Sequence, residues 1–152
     1  MKNMYDLVLL GDGKDVDKIK EYVAIKKLSD KIVFPGFDSN PFRWMKNCSC
    51  FVLSSLTEGV ALVPVEAMAC GVPVVLTKYH TGSAEISDNG NNALLVECGD
   101  SKGMARAIET VLKDQVERNR IVDNATKFIR QFDYQNFKEK ILDLFECVEV
   151  AK

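Results

Sequence analysis

Short apolar runs broken by polar, glycine-containing stretches fill the first two thirds of the chain, and amphipathic stripes fill the rest. Residues 5–10 (YDLVLL) run unbroken into Gly-Asp-Gly, the pattern of a strand buried on both faces. Residues 14–28 set Val16, Ile19, Val23 and Ile25 at helical spacing, and residues 31–34 (KIVF) form a short strand closed by Pro35-Gly36. Residues 41–47 hold a helical turn or two carrying Phe42, Trp44 and Met45. Residues 50–53 (CFVL) and 72–76 (VPVVL) are further buried strands, with a helix over 64–70 between them, and residues 93–96 (ALLV) are a fifth strand.

Beyond that point three stripes recur at helical period. Met104, Ala107, Ile108, Val111 and Leu112 form the first; Val122, Ala125, Phe128, Ile129 and Phe132 the second; Phe137, Ile141, Leu144, Phe145 and Val148 the third. Such stripes are expected to face a core. Short apolar strands alternating with helices predict an α/β domain with a Rossmann-like open parallel sheet flanked by helices. No repeat or interdomain linker interrupts it, so residues 1–152 are expected to form a single domain. In this class ligands sit beyond the carboxyl ends of the strands.

Composition changes this picture only by exclusion. With 20 basic against 22 acidic residues the net charge is −2, which leaves no polybasic footprint for nucleic acid. Apolar runs such as 72–76 fall far short of the roughly 20 residues that span a bilayer. The first residues, MKNMYDLVLLGDG, lack the parts of a signal peptide, so a cytoplasmic location is expected. Cys48, Cys50, Cys70, Cys98 and Cys147 match no zinc or disulfide framework and are expected to be reduced thiols. Cys48 and Cys50 would point the same way in a strand, which allows a transient bridge. His80 is the single histidine, so a mechanism needing two imidazoles is excluded.

The stretch SSLTEGVALVPVEAMACGVPVV carries two glutamates in an otherwise apolar and small-residue run. Glu58 falls in the loop after CFVL, and Gly59 permits a tight turn or a close backbone approach. Pro64 fits the first position of a helix, where a missing N–H costs nothing, and Glu66 then falls near the third. A helix N-terminus between two carboxylates suits a ligand with phosphate in the middle, because ionised carboxylates accept hydrogen bonds from hydroxyls. A nucleotide-sugar has that layout. Taken singly, Glu66 also fits a cap for its own helix and Glu58-Gly59 a solvated turn.

Here the residues meet a family. The Glu, seven residues, Glu spacing of Glu58 and Glu66, within SSLTEGVALVPVEAMACGVPVVLT, resembles the donor-binding signature of family 4 retaining glycosyltransferases. LVLLGDG and KIVFPGF look like the second and third strands of that family's C-terminal domain, NPFRWMKNCSCFVLSS like the approach to the signature, and TGSAEI and NALLVECGD like the loop and last strand. The resemblance implies the C-terminal half of a GT-B fold. It makes Glu58 the candidate catalytic residue, holding donor-sugar hydroxyls, with the backbone of Gly59, Val60 and Ala61 lining the sugar pocket. It sets Leu62 and Val63 N–H groups near phosphate or ribose, Glu66 on the ribose hydroxyls, and the base near Gly36 and Phe37. Gly11 and Gly13 let their loop approach the donor. No metal and no other cofactor is expected.

Val60-Ala61 departs from the family's usual wording after the first Glu-Gly, which leaves the sugar open. The resemblance also implies that an Arg, a Lys and the acceptor-binding N-terminal domain lie on a segment preceding Met1, together with the first strand of this domain. On that reading the partners are a nucleotide-sugar donor, a UDP-sugar by its wording, and the missing N-terminal domain. The reaction moves a sugar to a glycan or lipid-linked acceptor for bacterial surface polysaccharide, with the full enzyme at the inner face of the membrane, and the isolated chain is expected to be inactive. In the strand order 3-2-1-4-5-6 the absent first strand is central, so the strands at 5–10 and 50–53 are expected to pair directly or to recruit a second copy as a homodimer. Two other classes compete: a non-catalytic nucleotide-binding α/β module and a nucleotide-sugar epimerase.

Overall fold

The computed structural model describes residues 7–80 and 82–150. The elements are β1 (Leu7–Leu10), α1 (Val16–Ile25), β2 (Ile32–Gly36), α2 (Phe42–Met45), β3 (Phe51–Leu53), α3 (Val63–Ala69), β4 (Val74–Thr77), α4 (Ser83–Ser87), β5 (Leu94–Val96), α5 (Ser101–Lys113), α6 (Gln115–Phe128) and α7 (Tyr134–Val150). A 3₁₀ turn, Ile129–Phe132, follows α6. The chain divides into two compact units, Met1–Pro41 and Phe42–Lys152. Every ladder is parallel, as expected for the α/β class.

In the first unit β1 pairs with β2, Leu7 opposite Ile32 and Val8 opposite Val33, with a register shift before Leu10 meets Gly36. Tyr5 and Asp6, the start of the expected strand, lie outside the described residues. Expected burial on both faces is not found: Leu7 is 46% and Val8 41% exposed. A parallel strand is buried only where other strands flank it and layers cover both faces, and a sheet of two strands supplies neither.

In the second unit β4 lies between β3 and β5, and Phe51 to Leu53 run opposite Val74 to Leu76. Strand alternation feeds two cores. Val74 and Leu76 join Met68, Ala67, Met45 and Ala125 in one cluster, while Val75 joins Val96, Val111 and Ile121 in the other. Asp114 ends α5 and caps α6, its carboxylate accepting from the N–H groups of Val116 and Glu117. Ile121, outside the expected stripe, is the more deeply buried position of α6.

Among the described residues the five strands fall in two sheets, with β1 and β3 in different ones. Their direct pairing, one of the two expected outcomes, is therefore not what forms. The third helical stripe also departs from expectation: Phe137 is 59% and Phe145 65% exposed. Leu144 and Val148 lie outside the described side chains. A 3.6-residue period establishes one apolar face but not a partner for it. No described helix is long and apolar enough to cross a membrane.

Candidate functional site

The loop 54–62 leaves the carboxyl end of β3 and enters α3. Thr77, buried at the end of neighbouring β4, ties it down: its hydroxyl donates to the Ser55 carbonyl at 2.5 Å and lies 3.4 Å from that of Leu53. A buried hydroxyl needs such partners. Ser55 in turn donates its Oγ to Glu58 Oε1 at 2.6 Å, so the half-buried carboxylate is oriented from within its own loop.

Residues 77–80 and 82–83 approach the same loop. Gly82 has φ of +83°, a left-handed conformation suited to glycine, and a Cβ there would lie 3.7 Å from the Gly59 carbonyl oxygen. Ser83 Oγ donates to the Tyr79 carbonyl at 2.7 Å. Burial, with the nearby charge of Glu58, pushes the Tyr79 phenol above its usual range. Gly59 has no left-handed φ, so the expected tight turn does not require it; a Cβ there meets open space. Ser55, Thr77, Tyr79 and Gly82 were not singled out from sequence. Only the serine pair after β3 and the glycine after KYHT offered any signal.

Helix α3 begins one residue earlier than expected. Leu62 is its N-cap and Pro64 its second residue, which puts Glu66 at the fourth position, its N–H bonded to the Leu62 carbonyl at 3.0 Å. No side chain caps α3, so Glu66 does not serve as its own helix's cap. The N–H groups of Val63 and Val65 have no helical acceptor and Pro64 has none to give. Val60, Leu62 and Val63 are exposed along the loop and Ala61 is buried beneath it. Glu58 and Glu66 are both half-buried.

In the first unit the loops after β1 and β2 are joined. Gly11 N–H donates to the Gly36 carbonyl at 2.8 Å, and the Phe37 N–H to the Asp12 carboxylate at 3.3 Å. Gly11 and Gly36 have φ of +116° and +79°, whereas Gly13 shows no such need for glycine. Phe37 is exposed.

One Asp-x-Asp spacing does occur, Asp15-Val16-Asp17, at the start of α1; Asp15 pairs with Lys18 at 2.9 Å. Among the described residues no three His, Cys, Asp or Glu side chains group as metal ligands. Cys48, Cys50, Cys70 and Cys98 are free thiols. Cys50 precedes β3 and burial pushes its thiol up to about 12; burial also raises Cys48. Both are therefore held as weakly reactive thiols rather than thiolates.

The fold is that of a parallel α/β protein, in which ligands sit beyond the carboxyl ends of the strands, and comparison narrows the class to glycosyltransferases. The sequence model of the family described as glycosyl transferases group 1 matches residues 1–128, and the chain belongs to that family. It is 31% identical over 133 residues to a Campylobacter jejuni N-acetylgalactosamine-N,N'-diacetylbacillosaminyl-diphospho-undecaprenol 4-alpha-N-acetylgalactosaminyltransferase, covering 88% of this chain and 36% of that protein. It is 32% identical to the Bacillus anthracis N-acetyl-alpha-D-glucosaminyl L-malate synthase, covering 93% and 36%. The structure of Anabaena HepE in complex with UDP superposes with a TM-score of 0.84 at 29% identity, over 94% of this chain and 41% of HepE. HepE has also been solved with UDP-glucose. The chain thus spans well under half the length of the relatives it matches.

Proposed function

We propose that residues 1–152 are the donor-binding domain of a retaining, family 4-like glycosyltransferase that uses a UDP-sugar. The observation that carries this reading is Glu58, half-buried and held by Ser55 on the loop after β3, with Glu66 one turn into α3. In this reading Glu58 accepts hydrogen bonds from the donor sugar's hydroxyls and Glu66 from those of the ribose. The backbone of Gly59, Val60, Leu62 and Val63 borders the sugar and diphosphate between them. Base contacts at Gly36 and Phe37, and the approach of Gly11 and Gly13, rest on the family resemblance alone.

Departure of the nucleoside diphosphate builds negative charge that preorganised donors and cations must meet, and electrostatic stabilisation of this sort is the largest catalytic factor in many enzymes. Those cations and the acceptor site would come from the part of the relatives' length that these residues do not match. The undecaprenol-linked substrate in the Campylobacter relative's name and the lipopolysaccharide core assigned to a Rhizobium meliloti relative support a glycan or lipid-linked acceptor in surface polysaccharide synthesis. Titration calorimetry of the chain with UDP, GDP and ADP tests the reading. Heat with UDP alone agrees with it; equal indifference to all three favours a non-catalytic module and overturns it.

A further inference from the structure

Tyr79 stands where the two loops of the site meet. Thr77 Oγ1 donates to the Ser55 carbonyl, and a Cβ at Gly82 would lie 3.7 Å from the Gly59 carbonyl oxygen, so described residues on both sides of Tyr79 approach the loop that carries Glu58. Its ring is 3% exposed and packs in the cluster that includes Ala61, Met68 and Leu76. Its hydroxyl is the one buried side-chain polar atom among the described residues that has no hydrogen-bond partner. A hydroxyl left so costs stability, and a phenylalanine would fill the same space without it. The O–H also stays protonated, since burial and the Glu58 charge both oppose its ionisation. It is therefore a standing donor on the segment that meets the loop bearing Glu58, a carboxylate that can only accept.

We propose that Tyr79 is a positioning residue of the donor-sugar subsite, its phenol O–H bonding the Glu58 carboxylate as that carboxylate accepts from the sugar hydroxyls. Sugar binding and satisfaction of the orphaned hydroxyl are then one event. The role rests on the donor-binding reading of Glu58. It directs the carboxylate's remaining lone pairs, while nucleotide binding through Glu66 is independent of it.

The test titrates the wild-type chain and Tyr79→Phe with UDP and with UDP-glucose, UDP-galactose and their N-acetylamino counterparts, taking the sugar nucleotide that the wild type binds best. Tyr79→Phe is expected to weaken that UDP-sugar about tenfold, to leave UDP affinity within about twofold, and to melt no lower than wild type. An unchanged UDP-sugar affinity overturns the role of Tyr79 and leaves the donor-binding reading intact. A lower melting midpoint with UDP and UDP-sugar weakened alike makes Tyr79 structural and also overturns it. A wild-type chain that binds neither UDP nor any of the four fails the donor-binding reading, and this role with it.

Discussion

Ser55 Oγ and Glu58 Oε1 lie 2.6 Å apart, three residues from each other on the loop after β3. The hydroxyl orients the carboxylate without neutralising it. Ser55→Ala is expected to lower affinity for a UDP-sugar about tenfold and to leave UDP affinity unchanged, since a neutral donor to a charged acceptor contributes about 1.5 kcal/mol. Glu58→Gln should go further and reduce UDP-sugar affinity to that of UDP alone. Calorimetry with the two ligands in parallel separates these effects.

Glu66 is assigned to the other end of the donor. Glu66→Ala is expected to weaken UDP itself about 10- to 100-fold, the range set by losing a hydrogen bond to a charged group. A loss confined to the UDP-sugar, with UDP spared, would contradict the ribose assignment.

Thr77→Val keeps shape in the core but removes the donor that holds Ser55. The stranded carbonyl should cost about 1–3 kcal/mol, read as a lower urea midpoint at unchanged slope. UDP-sugar affinity should fall with it, because the loop loses its tether.

Gly82→Ala tests the turn at the loop's far side. A Cβ would sit at ordinary contact distance from Gly59, so the expected cost, about 1–2 kcal/mol, comes from the left-handed backbone and not from collision. Gly82→Asn should recover part of it in a thermal melt, since asparagine tolerates that region better.

At alkaline pH the thiol of Cys50 sets the slope. It ionises near 12 when folded against 9.0 for the free group, so between those values the folded chain holds a proton that the unfolded chain releases. Stability is therefore full below pH about 9 and falls as pH rises toward 12, by up to about 1.4 kcal/mol per unit. Tyr79, also raised, adds loss of the same sign at higher pH. Cys50→Ala should flatten the curve of urea midpoint against pH in this window.

Much of the fold was legible because continuous apolar runs such as VPVVL can only be satisfied inside a sheet, and β4 is buried at every position. The pair Glu58 and Glu66 stood out because carboxylates are sparse in so apolar a stretch, and the structure sets both near the start of α3. What was not legible depends on neighbours distant in sequence. β1 has the wording of an interior strand yet is exposed, since its burial needs layers that its own residues cannot supply. The α7 stripe fails for the same reason. Helix α4, only five residues between left-handed Gly82 and Asp88, has no periodic signal long enough to detect. Tyr79 reads as one more apolar residue until the fold buries it and leaves its hydroxyl without a partner.

The alternation of Val74, Val75 and Leu76 between two packed clusters has a consequence for the loop chemistry. If β4 slid by a single residue along β3, each of those side chains would exchange faces and the terminal threonine would miss the serine carbonyl that it grips. On the donor-binding reading, sugar selectivity is inherited from strand alignment, and core substitutions that loosen that alignment should blur sugar preference before they unfold the chain.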